Sequence, residues 1–472
     1  MTVSSCNADF FVYNKELCCF LLAVQQNCIK NNSTQIASLS LEIDWVDPLV
    51  VLNQLAEPNK INFYWENRGK KEALAAVDAV AKLEIAGKDR FAKSEEFIQE
   101  IVQNITCFSK TNQVFSGTQF LCSFSFFDQN TQAGYPFSAA TIFLPRWQVT
   151  VKNECCVLVL NTIINAEVDI QKILQIFWRK IEIIDSLRYN PSNLDCSFLP
   201  KFSKKSVANP QKFKNSVLSA LEKIQSHHLS KIVLADALDV RSNAHFNLIQ
   251  SLNNLRQLHP NCYIFSIGNG KRQNFIGASP ERLISIQQQQ LITDALAGSA
   301  PRGKTPAEDA ANASRLLNSE KERHEHSLVI DFITQRLSQL GLLPQVLAPR
   351  LRQLSNIQHL WTPISAVVPS NVHPLKIVAQ LHPTPAVAGA SREVACSEIR
   401  RYESFERGLY AAPLGWVDLE GNCEFIVGIR SALIDGDRAR LYAGAGIVAG
   451  SDPDKELAEV QLKLQALLKA LV

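Results

Sequence analysis

Three groups of residues in this chain have the type and the setting to do chemistry. The first is a lysine at the mouth of an apolar strand: in "SKIVLADA", Lys231 precedes Ile232, Val233 and Leu234. Such a lysine either snorkels its ammonium to water or, if desolvated, becomes a general base near neutral pH. The second is Glu281, directly after Pro280 in "FIGASPERL". That turn position aims a side chain into a cleft, and a shielded carboxyl there would rise into the range of a general acid. The third is "SEKERHEHSLVIDF", Ser319 to Phe332, where acidic, basic and imidazole side chains follow one another without a break.

Helical geometry disposes of the obvious metal site in that third stretch. Neighbours one and two positions apart on a helix point about 100° and 200° from one another, so His324, Glu325 and His326 cannot converge on one ion. The apolar residues Leu328, Val329, Phe332, Ile333 and Leu340 define the buried face. Glu325 falls within it, whereas Glu322 and His324 fall outside it or at its margin. An inward carboxylate needs a cation or several donors; a lysine or arginine from elsewhere would serve, and so would a metal ion. Spacing leaves both open.

The last helix offers a counterpart. Along "PDKELAEVQLKLQALLKALV", Glu456, Glu459 and Lys463 stand at i, i+3 and i+7 on one edge of a stripe of Leu457, Val460, Leu464, Leu467 and Leu471. Two carboxylates and an amine on the border of the core suit a hard cation bound by oxygens, with the lysine free to meet an anion. A row of surface salt bridges is the alternative. "LAGSAPRG" and "YAGAGIV" are small-residue runs whose bare backbone can approach an anion or simply turn tightly. Neither is a phosphate loop, because no Gly-Lys-Ser/Thr follows and no helix begins there. Arg430, in "IVGIRSAL", is a cation in an apolar strand and calls for an anionic partner.

These side chains must be held by a particular run of elements. Upstream, "INFYWEN", "TIFLPRWQV" and "CCVLVLNTI" read as strands, the last two a hairpin about Lys152 and Asn153, and "KSEEFIQEIVQNI" and "IQKILQIFWRKIEII" as amphipathic helices. A proline-bearing stretch at 188–210 marks a boundary, with 1–207 on one side and 208–472 on the other. Beyond it come a helix to about 227, the Lys231 strand, a helix at about 244–257, and the strands "CYIFSIGNG" and "FIGAS". "RLISI" and "QLITDALAG" form a hairpin across "QQQQ", and one long helix runs from about Pro306 to Leu340. The strands "PLGWVDL", "CEFIVGIRSALI" and "ARLYAGAGIV" and a helix from about Pro453 complete the chain. Strands joined by short turns, with helices bunched elsewhere, predict an α+β protein: two large, mainly antiparallel sheets packed together and flanked by helices, not a doubly wound parallel sheet.

Composition narrows the partners. The 48 basic and 45 acidic residues nearly balance, without a basic stripe, so neither nucleic acid nor a membrane surface is expected. Twelve cysteines without C-x-x-C or zinc-site spacing read as small core residues of a reducing, cytoplasmic compartment. The apolar "CCFLLAV" lacks a basic flank and is too short to span a bilayer.

Taken in order, "SKIVLA", "GASPERL", "LAGSAPRG", "SEKERHEHSLV", "QHLWTP", "HPTPAVAG", "FERGLYAAPLGW", "IVGIR", "LYAGAGIV" and "ELAEVQLKLQ" resemble the chorismate-utilising enzymes, and most closely the isochorismate synthases. The resemblance covers roughly residues 208 to 466 and leaves 1–207 as a variable part contributing strands and helices. It implies that Lys231 activates water and Glu281 protonates the leaving hydroxyl. It implies a Mg²⁺ ion on Glu325 and Glu459, with Glu456 nearby. The carboxylates of chorismate would meet Arg430, Tyr442, the backbone at Gly444 and Gly446, and Lys463, while Gly298, Ser299, His359 and Ala386 line the ring pocket. Anthranilate and aminodeoxychorismate synthases use ammonia in place of water. Lys231 stands where anthranilate synthase typically lacks lysine, and "HPTPAVAG" differs from the "FPAGTxSGAPK" type of the amine-forming enzymes. No glutamine amidotransferase subunit is therefore expected, and a monomer or weak homodimer is. Salicylate synthase, which shares the lysine and the glutamate, is the nearer alternative. The pathway that takes the product, to quinone, siderophore or salicylate, is left open.

Overall fold

One ladder of hydrogen bonds runs through every described strand. In the computed structural model, which describes residues 6–109, 115, 117–130, 134–189, 202–207, 209–354 and 357–471, the strand Lys231–Ser242 lies between Phe202–Ser206 and Arg438–Val448. From the latter, pairing passes through Ser431–Asp435, Gln273–Ser279, Tyr263–Asn269, Ile61–Asn67 and Glu72–Ile85 to Ala140–Lys152. That strand shares its other edge: Trp147 to Lys152 pair with Cys155–Ile164, and Ala140 to Phe143 with Gln119–Phe124. Through Gln119–Phe124 the ladder enters a second wing of Pro413–Asp418, Cys423–Val427, Arg282–Gln287, Gln290–Pro301 and Ile357–Val367.

The expected pair of packed sheets is therefore one curled sheet with two wings. A strand of 13 residues, Ala140–Lys152, is long enough for its accumulated twist to carry it from one wing to the other. Pairing is antiparallel apart from Gln35–Ile43 beside Ile105–Ser109. Because Ile61–Asn67 pairs with Tyr263–Asn269, and Gln119–Phe124 with Pro413–Asp418, strands from the first two hundred residues complete both wings. Trp65, Phe265, Phe124 and Trp416 are fully buried within the curl, and helices cover its outer faces.

Several local features differ from the sequence reading. The long helix ends at Asn318 and restarts at Glu320, because Ser319 is extended (φ −69°, ψ 117°) and caps the second helix by accepting the Glu322 N–H. "CEFIVGIRSALI" is two strands, interrupted where Arg430 takes a left-handed φ of 50°. "QQQQ" does turn a hairpin, with Gln288 (φ 49°) and Gln289 (φ 65°) both left-handed as a tight two-residue turn requires. Cys28, Cys122, Cys156, Cys262 and Cys423 are buried, but Cys19 and Cys107 are exposed and so are not core residues. Residues 190–201 of the boundary stretch lie outside the described residues. Among the described residues no helix is long and apolar enough to cross a membrane.

Candidate active site

The chemistry-bearing residues meet at a cleft with about 100 Å³ of free space. The strand Arg438–Val448 supplies Tyr442, Gly444 and Gly446; a bulge in Gln290–Pro301 presents Gly298 and Ser299; and His359 sits opposite Ser299 on the paired strand. Ala386 and Val387 come from the loop after His382, Arg430 from the break between two strands, Glu325 from the helix Glu320–Gln339, and Glu459 and Lys463 from Pro453–Leu468. Lys231, Glu281 and Glu456 stand behind this lining, all nearly sealed from solvent.

Glycine makes room for the central pair. A Cβ on Gly446 would lie 2.6 Å from Glu325 Oε1 and 3.3 Å from Lys231 Cε, so any side chain there would separate them. Lys231 Nζ approaches Glu325 Oε1 at 2.7 Å, an ion pair without the alignment of a hydrogen bond. The inward carboxylate is thus the one helical counting singled out, and it meets a lysine from another element. His324 is exposed and His326 is buried, so the two imidazoles do point apart. His326 is nonetheless a core residue: Thr362 Oγ1 lies 2.8 Å from its Nε2, and burial pulls its pKa down to about 4.

One expectation needs correction. Lys463 is not free: its ammonium is 2.7 Å from Glu459 Oε1 and donates to Gly444 O at 2.8 Å. Glu322 is half-buried, at the margin of the buried face as helical counting put it, and turns its carboxylate into the site: its Oε2 accepts the Ser299 N–H at 3.0 Å, and a Cβ on Gly298 would lie 3.1 Å from the same oxygen. The break at Ser319 leaves the count within Glu320–Gln339 unchanged and puts Glu322 in the first turn of its own helix. The motif Ser-x-x-Glu at 319–322 is a capping signature that could have revealed that break. Tyr410 was also missed. It lines the cleft, stacks on Tyr442 (5.3 Å between centroids, 16°), and its hydroxyl would be 2.9 Å from a Cβ on Gly444.

The charges are paired but unequal. Glu322, Glu325, Glu456 and Glu459 face Lys231, Lys321 and Lys463; Lys321 reaches Glu456 at 3.3 Å and Glu322 at 3.9 Å. Burial raises the carboxyl pKa of Glu322 and Glu456, and neighbouring carboxylates push in the same direction: Glu325 and Glu459 on Glu322, Glu459 on Glu456. Burial likewise pushes Glu281 up to about 8, with Asp294 adding to the rise and Lys231 opposing it. Such a carboxyl holds its proton at neutral pH. Across the cleft, Arg430 is half-buried, and its Nη2 lies 3.4 Å from His359 Nε2. A guanidinium can only donate, so Nε2 accepts and Nδ1 carries the proton. Nδ1 then donates to Ser299 Oγ at 3.0 Å, leaving that hydroxyl's own proton for a ligand.

The family model described as chorismate binding enzyme matches residues 23–472. The chain is a chorismate-binding enzyme. Isochorismate synthase MenF of Bacillus subtilis is 30% identical over 453 residues, 93% of this chain and 94% of the relative. The salicylate biosynthesis isochorismate synthase of Pseudomonas aeruginosa is 39% identical over 267 residues, and there the match spans only 56% of either protein. Among solved structures, the menaquinone-specific isochorismate synthase MenF of Escherichia coli superposes with a TM-score of 0.75 at 25% identity, covering 96% of this chain and all of that one. The cleft presents cationic, acidic and neutral hydrogen-bonding groups together.

Proposed function

We infer that this chorismate-binding enzyme is an isochorismate synthase, an isomerase that adds water at ring carbon two of chorismate and expels the hydroxyl from carbon four. Glu281 carries the reading: its carboxyl, raised to about 8, is protonated at neutral pH inside the electrostatic field of Lys231. Lys231 takes a proton from water as the oxygen bonds to carbon two. The ring double bonds shift, the bond from carbon four to its hydroxyl breaks, and Glu281 supplies the proton that lets it leave as water. Substrate and product are isomers, and the two side chains exchange proton states once per turnover. The acid must be held protonated at neutral pH, and the burial of Glu281 does this. Lys231 can act only as the neutral amine, so its 2.7 Å pair with Glu325 has to open before turnover.

Arg430 and Lys463, with the backbone of Gly444 and Gly446, receive the substrate carboxylates, and Tyr442 flanks them. Gly298, Ser299, His359 and Ala386 bound the ring. Ser299, with its oxygen occupied by His359, is oriented to donate to a substrate oxygen.

The carboxylates fit a hard divalent cation by their chemistry. Four of them share one region with three lysines, and their mutual repulsion is what a dication bound through oxygens relieves. Among the described residues no three acidic or imidazole groups already surround one point, so the lysines must release their partners first. Glu325 and Glu459 would hold Mg²⁺, with Glu456 and Glu322 beside them. When bound, the ion supplies neutralisation and orientation of the ring carboxylate.

Incubating pure protein with chorismate and Mg²⁺, with and without ammonium, tests the reading. Isochorismate under both conditions is expected. Anthranilate or aminodeoxychorismate formed only with ammonium would overturn it, and salicylate would reassign the protein to salicylate synthase.

A further inference from the structure

Arg407 is fully enclosed in protein and lines no part of the cleft, yet each backbone group it serves belongs to the cleft's walls. Its Nε and Nη2 donate to the two oxygens of Glu403 at 2.8 and 2.5 Å. Nη1 donates to Val387 O at 2.8 Å, and Nη2 also reaches Val233 O at 2.9 Å. Glu403 Oε1 in turn accepts the Ala235 N–H at 2.8 Å. Val233 and Val387 both line the cleft, and Val233 lies two residues along the strand from Lys231.

The segment carrying Val387 is pressed against the backbone of Lys231 itself. Val233 N–H donates to Ala388 O at 2.7 Å, and Ala390 N–H donates to Lys231 O at 3.1 Å. A Cβ on Gly389 would lie 2.3 Å from Lys231 O, so only glycine permits this approach. Arg407 also stands 5.7 Å over the ring of Tyr410, which stacks on Tyr442. A buried arginine-carboxylate pair is a poor way to gain stability alone, since apolar side chains of similar volume do as well. Its planar fork is a good way to fix three chain segments to one another.

We propose that the Glu403–Arg407 pair is a positioning clamp, locking the Lys231 strand to the Val387 wall and so setting where the Lys231 amine sits relative to bound chorismate. The clamp rests on the assignment of Lys231 as base. It binds no substrate, so its loss should fall on turnover and not on binding. A displacement of the base by about 1 Å is enough to lower the rate by about a hundredfold.

The test replaces both partners, Arg407→Met with Glu403→Gln, so that no unpaired charge is left buried. Steady-state kinetics with chorismate should show kcat reduced at least about tenfold with KM within about threefold of the parent. The same pair of substitutions placed on Lys231→Ala should lower the residual rate no further, because the group being positioned is gone. A kcat within threefold of the parent, or a loss confined to KM, overturns the clamp. An equal loss in the Lys231→Ala background also overturns it while leaving the isochorismate synthase reading intact. That reading fails instead if the parent protein forms no isochorismate. Should the double variant not fold, Arg407→Lys with Glu403→Asp carries the same expectations: shorter arms keep the charges but cannot span both carbonyls.

Discussion

Two buried charge clusters in this protein use the same side chains to opposite ends. In the outer cluster, Glu424 meets Lys70 at 2.5 Å and the Tyr263 hydroxyl at 2.8 Å, Glu72 meets Lys152 at 3.0 Å, and Glu66 meets Arg68 at 3.3 Å. Three carboxylates there face three cations. At the cleft, four carboxylates face three lysines, one of which, Lys231, is nearly inaccessible. The first cluster is neutral and ties strands of the two wings together. The second gathers four carboxylates, three lysines and Arg430 beside an opening. Access separates the two: one cluster closes between strands, and the other opens on the cleft.

The comparison is broken most severely at Lys231. Lys231→Ala is expected to lower turnover by about a thousandfold or more while circular dichroism shows the fold retained. Normal turnover would remove Lys231 as the base. Next, Glu325→Gln should weaken Mg²⁺ binding, measured by calorimetry without substrate, by about tenfold or more. Glu424→Gln should leave that titration unchanged and instead cost about 2 kcal/mol of stability in urea unfolding, since it leaves Lys70 without its carboxylate. Reversed outcomes for the two variants would mean that the clusters have been assigned the wrong way round.

Smaller effects sharpen the picture around Glu281. Asp294 pairs with Arg282 at 2.8 Å and Arg352 at 3.4 Å, and its charge helps raise the Glu281 carboxyl to about 8. Asp294→Asn should move the alkaline limb of the pH–rate profile to lower pH, and a limb that stays put would disconnect Asp294 from the acid. The stability consequence has a definite sign. The folded value, about 8, lies above the ordinary 4.5, so folding is favoured by protonation; this contribution is complete below about pH 4.5 and is lost as pH rises through 8. Glu281→Gln removes the loss. Its melting temperature should gain on the parent between pH 5 and pH 8.5 by about 2 °C or more, and a constant difference would show that Glu281 does not titrate in this window.

Much of this arrangement was legible in order and spacing. Turn chemistry located the glutamine hairpin, and apolar periodicity located the terminal helix and the inward turn of Glu325. The break at Ser319 was not legible from periodicity, because the polar run offers no apolar rhythm to interrupt. Arg407 lay in a quoted motif, "FERGLYAAPLGW", and Glu403 two residues before it, but nothing local distinguishes a buried arginine from an exposed one.

By itself, then, the sequence determined which elements form and which face of each is buried, since these follow from local propensity and periodicity along one segment. The tertiary structure alone decided that the two expected sheets are one, that Glu325 meets Lys231, that Lys463 donates to Gly444 O, and that Arg407 joins two walls of the cleft. Each of these joins groups far apart in the chain. The strength of a charge pair depends on distance and burial, neither of which is encoded within any one segment.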